Sequence, residues 1–243
     1  MTGITAHRLV EQLGRHLIGQ LGIDPSTEGG LEGWLVAAIL QSSTRDAATA
    51  RHAFGVLDRA GAAVPSALAQ QQVDNLATLL KQANLRKPEA VAARLIRIGT
   101  TLRERWSGSL EALASDADGL DELGSRIASL APGVGVSTVL RFLRPLRETW
   151  SSAADTPASR AALAAARHLG WAGDATDEAS LPGVLQAKAS DEVALRDVEA
   201  ALERLGSRSC LRSRTASCPL GDDCPARQPP SAGGPDGRDP SNR

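Results

Sequence analysis

The chain has 243 residues, 42% of them apolar, and a formal net charge of −1. That is enough for one large domain or two small lobes with a real core. The near-neutral balance excludes a globally basic nucleic-acid binder, so any basic surface must be local. No run approaches 18 consecutive apolar residues, and the first residues, MTGITAHRLVEQLGRHL, lack a signal peptide's apolar stretch. The expectation is therefore no membrane span and a cytoplasmic location. With only two Phe and no Tyr, and Ala and Leu dominating, the composition favours helices over sheets.

In chain order, an N-terminal helix is followed by a buried-looking one at 31–40 (LEGWLVAAIL) and one with an apolar face at 46–60. A short helix at 75–82 precedes a long one at 87–106, in which Val91, Leu95, Ile98 and Leu102 recur at three- and four-residue spacing. Pro88 suits the first turn of that helix, where its missing N–H costs nothing. Helices at 120–130 and 137–149 flank the stretch LAPGVGVSTVLRFL, and helices at 158–169 and 192–205 complete the set. No convincing alternating strand is visible. Residues 225–243, PARQPPSAGGPDGRDPSNR, are rich in Pro, Gly and charge and read as a disordered tail.

The turn Pro132-Gly133-Val134-Gly135 carries the first candidate chemistry. Two glycines let a ligand approach the backbone closely, and the helix that follows offers free N–H groups and the positive end of its dipole. Such a place suits a phosphate oxygen. Arg141, Arg144 and Arg147 follow every three residues and extend a basic face. The same pattern also describes an ordinary helix–helix loop with a solvated basic face.

With its surroundings, the turn at 130–139 resembles the helix-hairpin-helix element of DNA glycosylases related to endonuclease III, where an LPGVG-type hairpin grips the DNA backbone. The family places a catalytic lysine two residues after the second hairpin glycine, which here is Ser137, and an essential aspartate 18 residues later, which here is Asp155 in ADTPASR. The adenine-mismatch branch of the family also has serine at the lysine position. LQSSTRDAATARHAF at 40–54 is similar to the family segment in which T-x-D opens an amphipathic helix, with Thr44 and Asp46 matching. GSRSCLRSRTASCPLGDDC at 206–224 looks like the C-terminal iron–sulfur loop. The resemblance spans most of the chain, from Leu31 to Cys224.

It implies an all-α, two-lobed helix-hairpin-helix glycosylase-like fold with a C-terminal cysteine loop. One lobe would be 29–135, ending in the hairpin. The other would join the N-terminal helix, 1–28, to 136–224, with a cleft between the lobes. The implied partner is damaged or mismatched double-stranded DNA, bound by a monomer. Contacts would come from Gly133, Val134, Gly135, Thr138 and Arg141 at the hairpin, and from Arg86 and Lys87 at a second phosphate site. The last two are equally readable as solvated charge. The family glutamine that fills the space left by a flipped base falls on Ser42, with Gln41 one position earlier, so either Gln41 takes that role or the wedge is absent.

The cysteine pattern departs from the family. C-x6-C-x2-C-x5-C becomes Cys210-x7-Cys218-x5-Cys224, with the second ligand missing. Four thiolates usually hold a 4Fe–4S cube. Three could hold such a cluster with Ser217, Asp222 or Asp223 completing it, or a 3Fe–4S cluster, or no cofactor, as reduced cysteines in a reducing cytoplasm.

The expected chemistry is cleavage of an N-glycosidic bond after the base leaves the stack. A carboxylate near C1′ stabilises the developing positive charge or activates water, and Asp155 is the candidate. Asp155 and Thr156, followed by Pro157, equally read as a helix N-cap. A lysine would attack C1′ and permit strand cleavage, whereas Ser137 is not expected to act as nucleophile. The reading is a monofunctional glycosylase of base-excision-repair type without lyase activity. Alternatives are a catalytically inactive helix-hairpin-helix DNA-binding protein and a helical interaction protein that no longer binds DNA. The four histidines are scattered, and Trp34, Trp106, Trp150 and Trp171 read as core or interface anchors.

Overall fold

The structure, a computed structural model, describes residues 4–44, 46–190, 192–214 and 217–225. Among them it is all-helical, with no strand, as the composition led us to expect. No helix among these residues is long and apolar enough to cross a membrane. The chain divides into two compact units, Met1–Arg15 with Ala158–Arg243, and His16–Pro157. We call them the terminal unit and the hairpin unit.

The terminal unit begins with α1 (Ala6–Leu13). The hairpin unit follows with α2 (Leu17–Leu21), α3 (Glu28–Ser43), α4 (Ala47–Arg59), α5 (Pro65–Leu68), α6 (Val73–Gln82), α7 (Pro88–Trp106), α8 (Leu110–Ser115), α9 (Gly119–Ala128) and α10 (Val136–Leu143). Its centre is α3, in which Leu31 and every residue from Gly33 to Leu40 is buried. A helix apolar on all sides must lie inside its unit, and this one packs on α4, α7, α8 and α10. Trp34, fully buried, donates its indole N–H to the carbonyl of Phe142 at 2.9 Å, which satisfies the ring's one polar atom and ties α3 to the end of α10. Helix α4 is started by Asp46, whose carboxylate accepts from the Thr49 amide at 2.8 Å and hydroxyl at 3.0 Å. Thr44, the other half of the T-x-D match, donates to the Asp46 carbonyl at 2.9 Å. Those bonds to Thr49 hold the Asp46 carboxyl below its usual range.

The terminal unit resumes with α11 (Arg160–His168), α12 (Leu181–Gln186) and α13 (Leu195–Arg208). Helix α13 packs on α1, α11 and α12. Gly206 makes its approach to α11 possible, since a Cβ there would lie 1.8 Å from the Ala161 carbonyl oxygen. The guanidinium of Arg204 donates to the carbonyls of Leu13 at 3.1 Å and Arg15 at 2.8 Å, occupying acceptors left over at the end of α1.

Several boundaries differ from the sequence-based expectation. The units divide at Pro157 rather than after Gly135, and only residues 1–15 of the expected 1–28 join the terminal unit, because α2 and α10 bury their apolar sides with α3. The helix expected at 137–149 stops at Leu143 and tightens into a 3-10 turn, Arg144–Leu146, at Pro145. Helix α11 starts at Arg160, not 158, and its N-cap is Ser159, whose hydroxyl accepts from the Ala162 amide at 3.1 Å. Asp155 and Thr156 therefore do not cap it. Of the expected tail, only Pro225 lies within the described residues.

Candidate nucleic-acid interface

The hairpin is built from inside out. Leu130, Ala131 and Val134 are buried and pin the turn to the core of the hairpin unit. The amide of Val134 closes the turn onto the Ala131 carbonyl at 3.2 Å. Between them Gly133 adopts φ +85°, a left-handed conformation that a side chain strains. Gly135 is the N-cap of α10, and its carbonyl receives the amides of Thr138 at 2.9 Å and Val139 at 3.1 Å. No side-chain hydrogen bond caps this helix, so its first amides have no side-chain acceptor. Gly135 has only open space where a Cβ would stand, and Val136 is 75% exposed. The outer face of the hairpin is therefore open backbone at Gly135, while at Gly133 the Arg94 guanidinium lies against the turn.

Of the expected contacts, Gly133 and Gly135 are exposed, as is Ser137 at the lysine position, while Val134 and Thr138 are buried and serve as anchors. Arg141 is partly buried and donates to the Ser42 hydroxyl at 3.3 Å. Arg144 and Arg147 are not the open basic face that the three-residue spacing predicted. Their Nε atoms donate to the carbonyls of Pro157 at 3.0 Å and Thr156 at 2.6 Å.

Those two bonds secure the Asp155 loop. Thr156 is buried, and both its hydroxyl, at 2.6 Å, and its amide, at 3.0 Å, bond the Ala153 carbonyl. The 3-10 turn Ser151–Ala153 just before it packs on α9, the first helix of the hairpin. Ser137 and Asp155 thus belong to one unit, and the chain that runs on from α10 fixes the loop that carries the aspartate. The Asp155 carboxylate itself is exposed, with no hydrogen bond or ion pair among the described residues.

Next to the hairpin lies the end of α3. Gln41 projects from its last turn with the carboxamide oxygen buried and unpartnered, so the glutamine stays in register within the helix. Ser42 and Ser43 follow it, each bonded to an arginine: Ser42 to Arg141, and Ser43 to Arg94 of α7 at 3.3 Å. Arg94 also reaches the Pro132 carbonyl at 3.4 Å. Arg94 and Ser43 are absent from the residues singled out by sequence, and Ser42 entered there only as the position of the family glutamine. The available signal was the position of Arg94 within the apolar stripe, three residues after Val91 and four before Ile98. Arg86 and Lys87 are exposed at the start of α7, with Lys87 at φ +51° as the residue before Pro88.

The cysteines lie in the terminal unit. Cys218 and Cys224 are buried with Leu220 in its core, and Cys210 packs against the same cluster. None is in a disulfide. Burial, reinforced by Cys218 and Cys224, pushes the Cys210 thiol up to about 11, and burial also raises that of Cys218. A cubane needs four donors. The carboxylate of Asp223 is paired with Arg8 at 2.5 Å, Ser217 is exposed, and no group of three His, Cys, Asp or Glu among the described residues is disposed to hold a metal. The donor set present here does not fit a four-thiolate cluster.

No protein-family model matches this chain, and no curated protein matches it.

Proposed function

We propose that the protein binds duplex DNA through the 132–138 hairpin and acts on it as a monofunctional DNA glycosylase, with Asp155 as the working carboxylate. The observation that carries the binding half is the exposed Gly135 backbone, with open space where a side chain would stand, leading directly into the start of α10, which no side chain caps. Such a surface donates N–H groups to an anion without a side chain intervening. DNA phosphates supply that anion at regular intervals, and contacts to them fix register without reading sequence. The chemical half rests on Asp155 standing on a loop that the hairpin's own continuation, through Arg144 and Arg147, holds in place. A carboxylate there stabilises positive charge at C1′ or directs water to it. Ser137 carries no amine, so no Schiff base forms and the strand stays intact until alkali cleaves the abasic product.

A second function is favoured by one observation. The Asp155 carboxylate has no partner among the described residues to aim it, as a protein that holds DNA without cleaving any bond would allow. One experiment separates the two. Labelled duplexes carrying uracil, oxidised pyrimidines, alkylated bases, an A·8-oxoguanine mismatch or an abasic site are incubated with wild type and Asp155→Asn, with and without hot alkali. The glycosylase gives cuts only after alkali, and only with wild type. Salt-sensitive binding with no base release on any duplex supports the non-catalytic function.

A further inference from the structure

We infer that Arg94 is a phosphate-contacting residue of the hairpin, supplying from α7 a guanidinium donor to the same DNA phosphate that the start of α10 faces. This rests on the hairpin being the DNA interface. Three observations carry it. First, the guanidinium lies flat against the turn: a Cβ on Gly133 would meet its Nη2 at 2.7 Å and its Cζ and Nε at 3.1 Å. Second, its anchors use only two of its three nitrogens. Nε goes to the Pro132 carbonyl and Nη1 to the Ser43 hydroxyl, and the described residues give Nη2 no hydrogen bond. The nitrogen left over is the one nearest the exposed glycine.

Third, the charges are arranged against folding alone. A guanidinium sits against the turn that leads into the positive end of α10, with no carboxylate within 4.0 Å among the described residues. A cation beside a helix N-terminus is repelled by the dipole, and an anion in front of both turns that repulsion into attraction. The long anchoring bonds, at 3.3 and 3.4 Å, hold the side chain in position while leaving it able to tilt toward such an anion. Arg is suited to this because its planar fork donates to two phosphate oxygens at once.

The test is fluorescence anisotropy of an undamaged labelled duplex over about 50 to 200 mM salt, for wild type, Arg94→Met, Arg94→Gln and Arg94→Lys, with melting temperatures taken in parallel. Loss of one phosphate contact lowers the slope of log K against log salt by about 0.9. Arg94→Met and Arg94→Gln should both show that loss, with binding weakened roughly 10-fold at the lower salt, and Arg94→Lys should keep the slope while binding less tightly. Arg94→Gln covers the case in which Arg94→Met fails to fold, because its amide can still donate to Pro132. Wild-type slope and affinity in both neutral variants, with or without a lower melting temperature, would make Arg94 a purely structural clamp and overturn the inference alone. Absence of duplex binding by wild type would overturn the hairpin function together with it. Inorganic phosphate, titrated as competitor, should displace DNA only at millimolar levels or above. Displacement at micromolar phosphate would assign the site to a free anion instead.

Discussion

The hairpin and the cysteine loop are both short stretches whose residue types advertise chemistry, and the structure treats them in opposite ways. At 130–138 the apolar residues Leu130, Ala131 and Val134 turn inward and leave Gly133, Gly135 and Ser137 outside. At 210–224 the residues with chemistry turn inward, with Cys218 and Cys224 in the core and the polar residues Ser217, Asp222 and Asp223 outside. Buried thiols resist ionisation, and the thiolate is the nucleophile and ligand form. The hairpin therefore presents polar groups to solvent, whereas the cysteine loop packs its thiols into the core. Whether a motif is used depends on what its neighbours leave exposed as well as on its letters.

The sharpest way to break this contrast is at Gly133. Gly133→Val places a β-branched residue at φ +85° and drives its Cβ into Arg94. We expect duplex affinity to fall about 100-fold, the loss of roughly two charge-assisted bonds, and stability to drop by about 1–3 kcal/mol. Anisotropy and thermal melts check both. The cysteine loop should answer the other way. Cys224→Ser puts a hydroxyl into an apolar site and should cost about 1–3 kcal/mol in denaturant melts, with duplex affinity of the folded protein unchanged. Protein purified without oxygen should also carry no stoichiometric iron by colorimetric assay. Bound iron, with an absorbance band lost on Cys224→Ser, would show that the loop is a ligand site after all.

A smaller effect belongs to the cap of α4. Asp46→Ala removes both bonds to Thr49 and should cost about 1 kcal/mol. Because the folded carboxyl titrates below its usual range, its stabilisation is present above the unfolded pKa and lost as pH falls through the folded value. Melts at acid pH should therefore converge for wild type and variant. The smallest expected change is alkaline. The Cys210 thiol, raised from 9.0 to about 11, favours the folded state only while it stays protonated. Its contribution is complete below the unfolded pKa and is lost as pH climbs through the folded one, so Cys210→Ala should flatten the decline in melting temperature between those values.

Much of the fold was legible because the long helices announce themselves. The unbroken apolar run of α3, the Asp46 start of α4, and Pro88 with the three-and-four spacing of α7 each state a physical requirement in sequence. The four- to six-residue helices α5, α8 and α12 were not legible, since one turn of helix has no period to detect. Pro145 did mark the end of α10, but the apolar pattern through Leu146 masked it. Of the candidate site, the glycines and the uncapped helix start were readable as local chemistry. The roles of Arg144 and Arg147 were not, because their acceptors, Thr156 and Pro157, come to them through the turn that follows. Arg94 was hidden for the same reason: its partners lie on α3 and on the hairpin, 51 and 38 residues away in the chain.

The claim that the bare hairpin backbone holds DNA is tested most directly at Gly135. Its φ is −93° and nothing lies within 4 Å of a Cβ placed on it, so Gly135→Leu leaves the fold intact while covering the exposed amides. The measurement is salt-dependent duplex binding by wild type and Gly135→Leu, with their melting temperatures. We predict equal melting temperatures, steeply salt-sensitive binding by wild type, and a large loss of affinity in the variant. Equal affinity of the two for the duplex, or no binding by wild type at low salt, would contradict it.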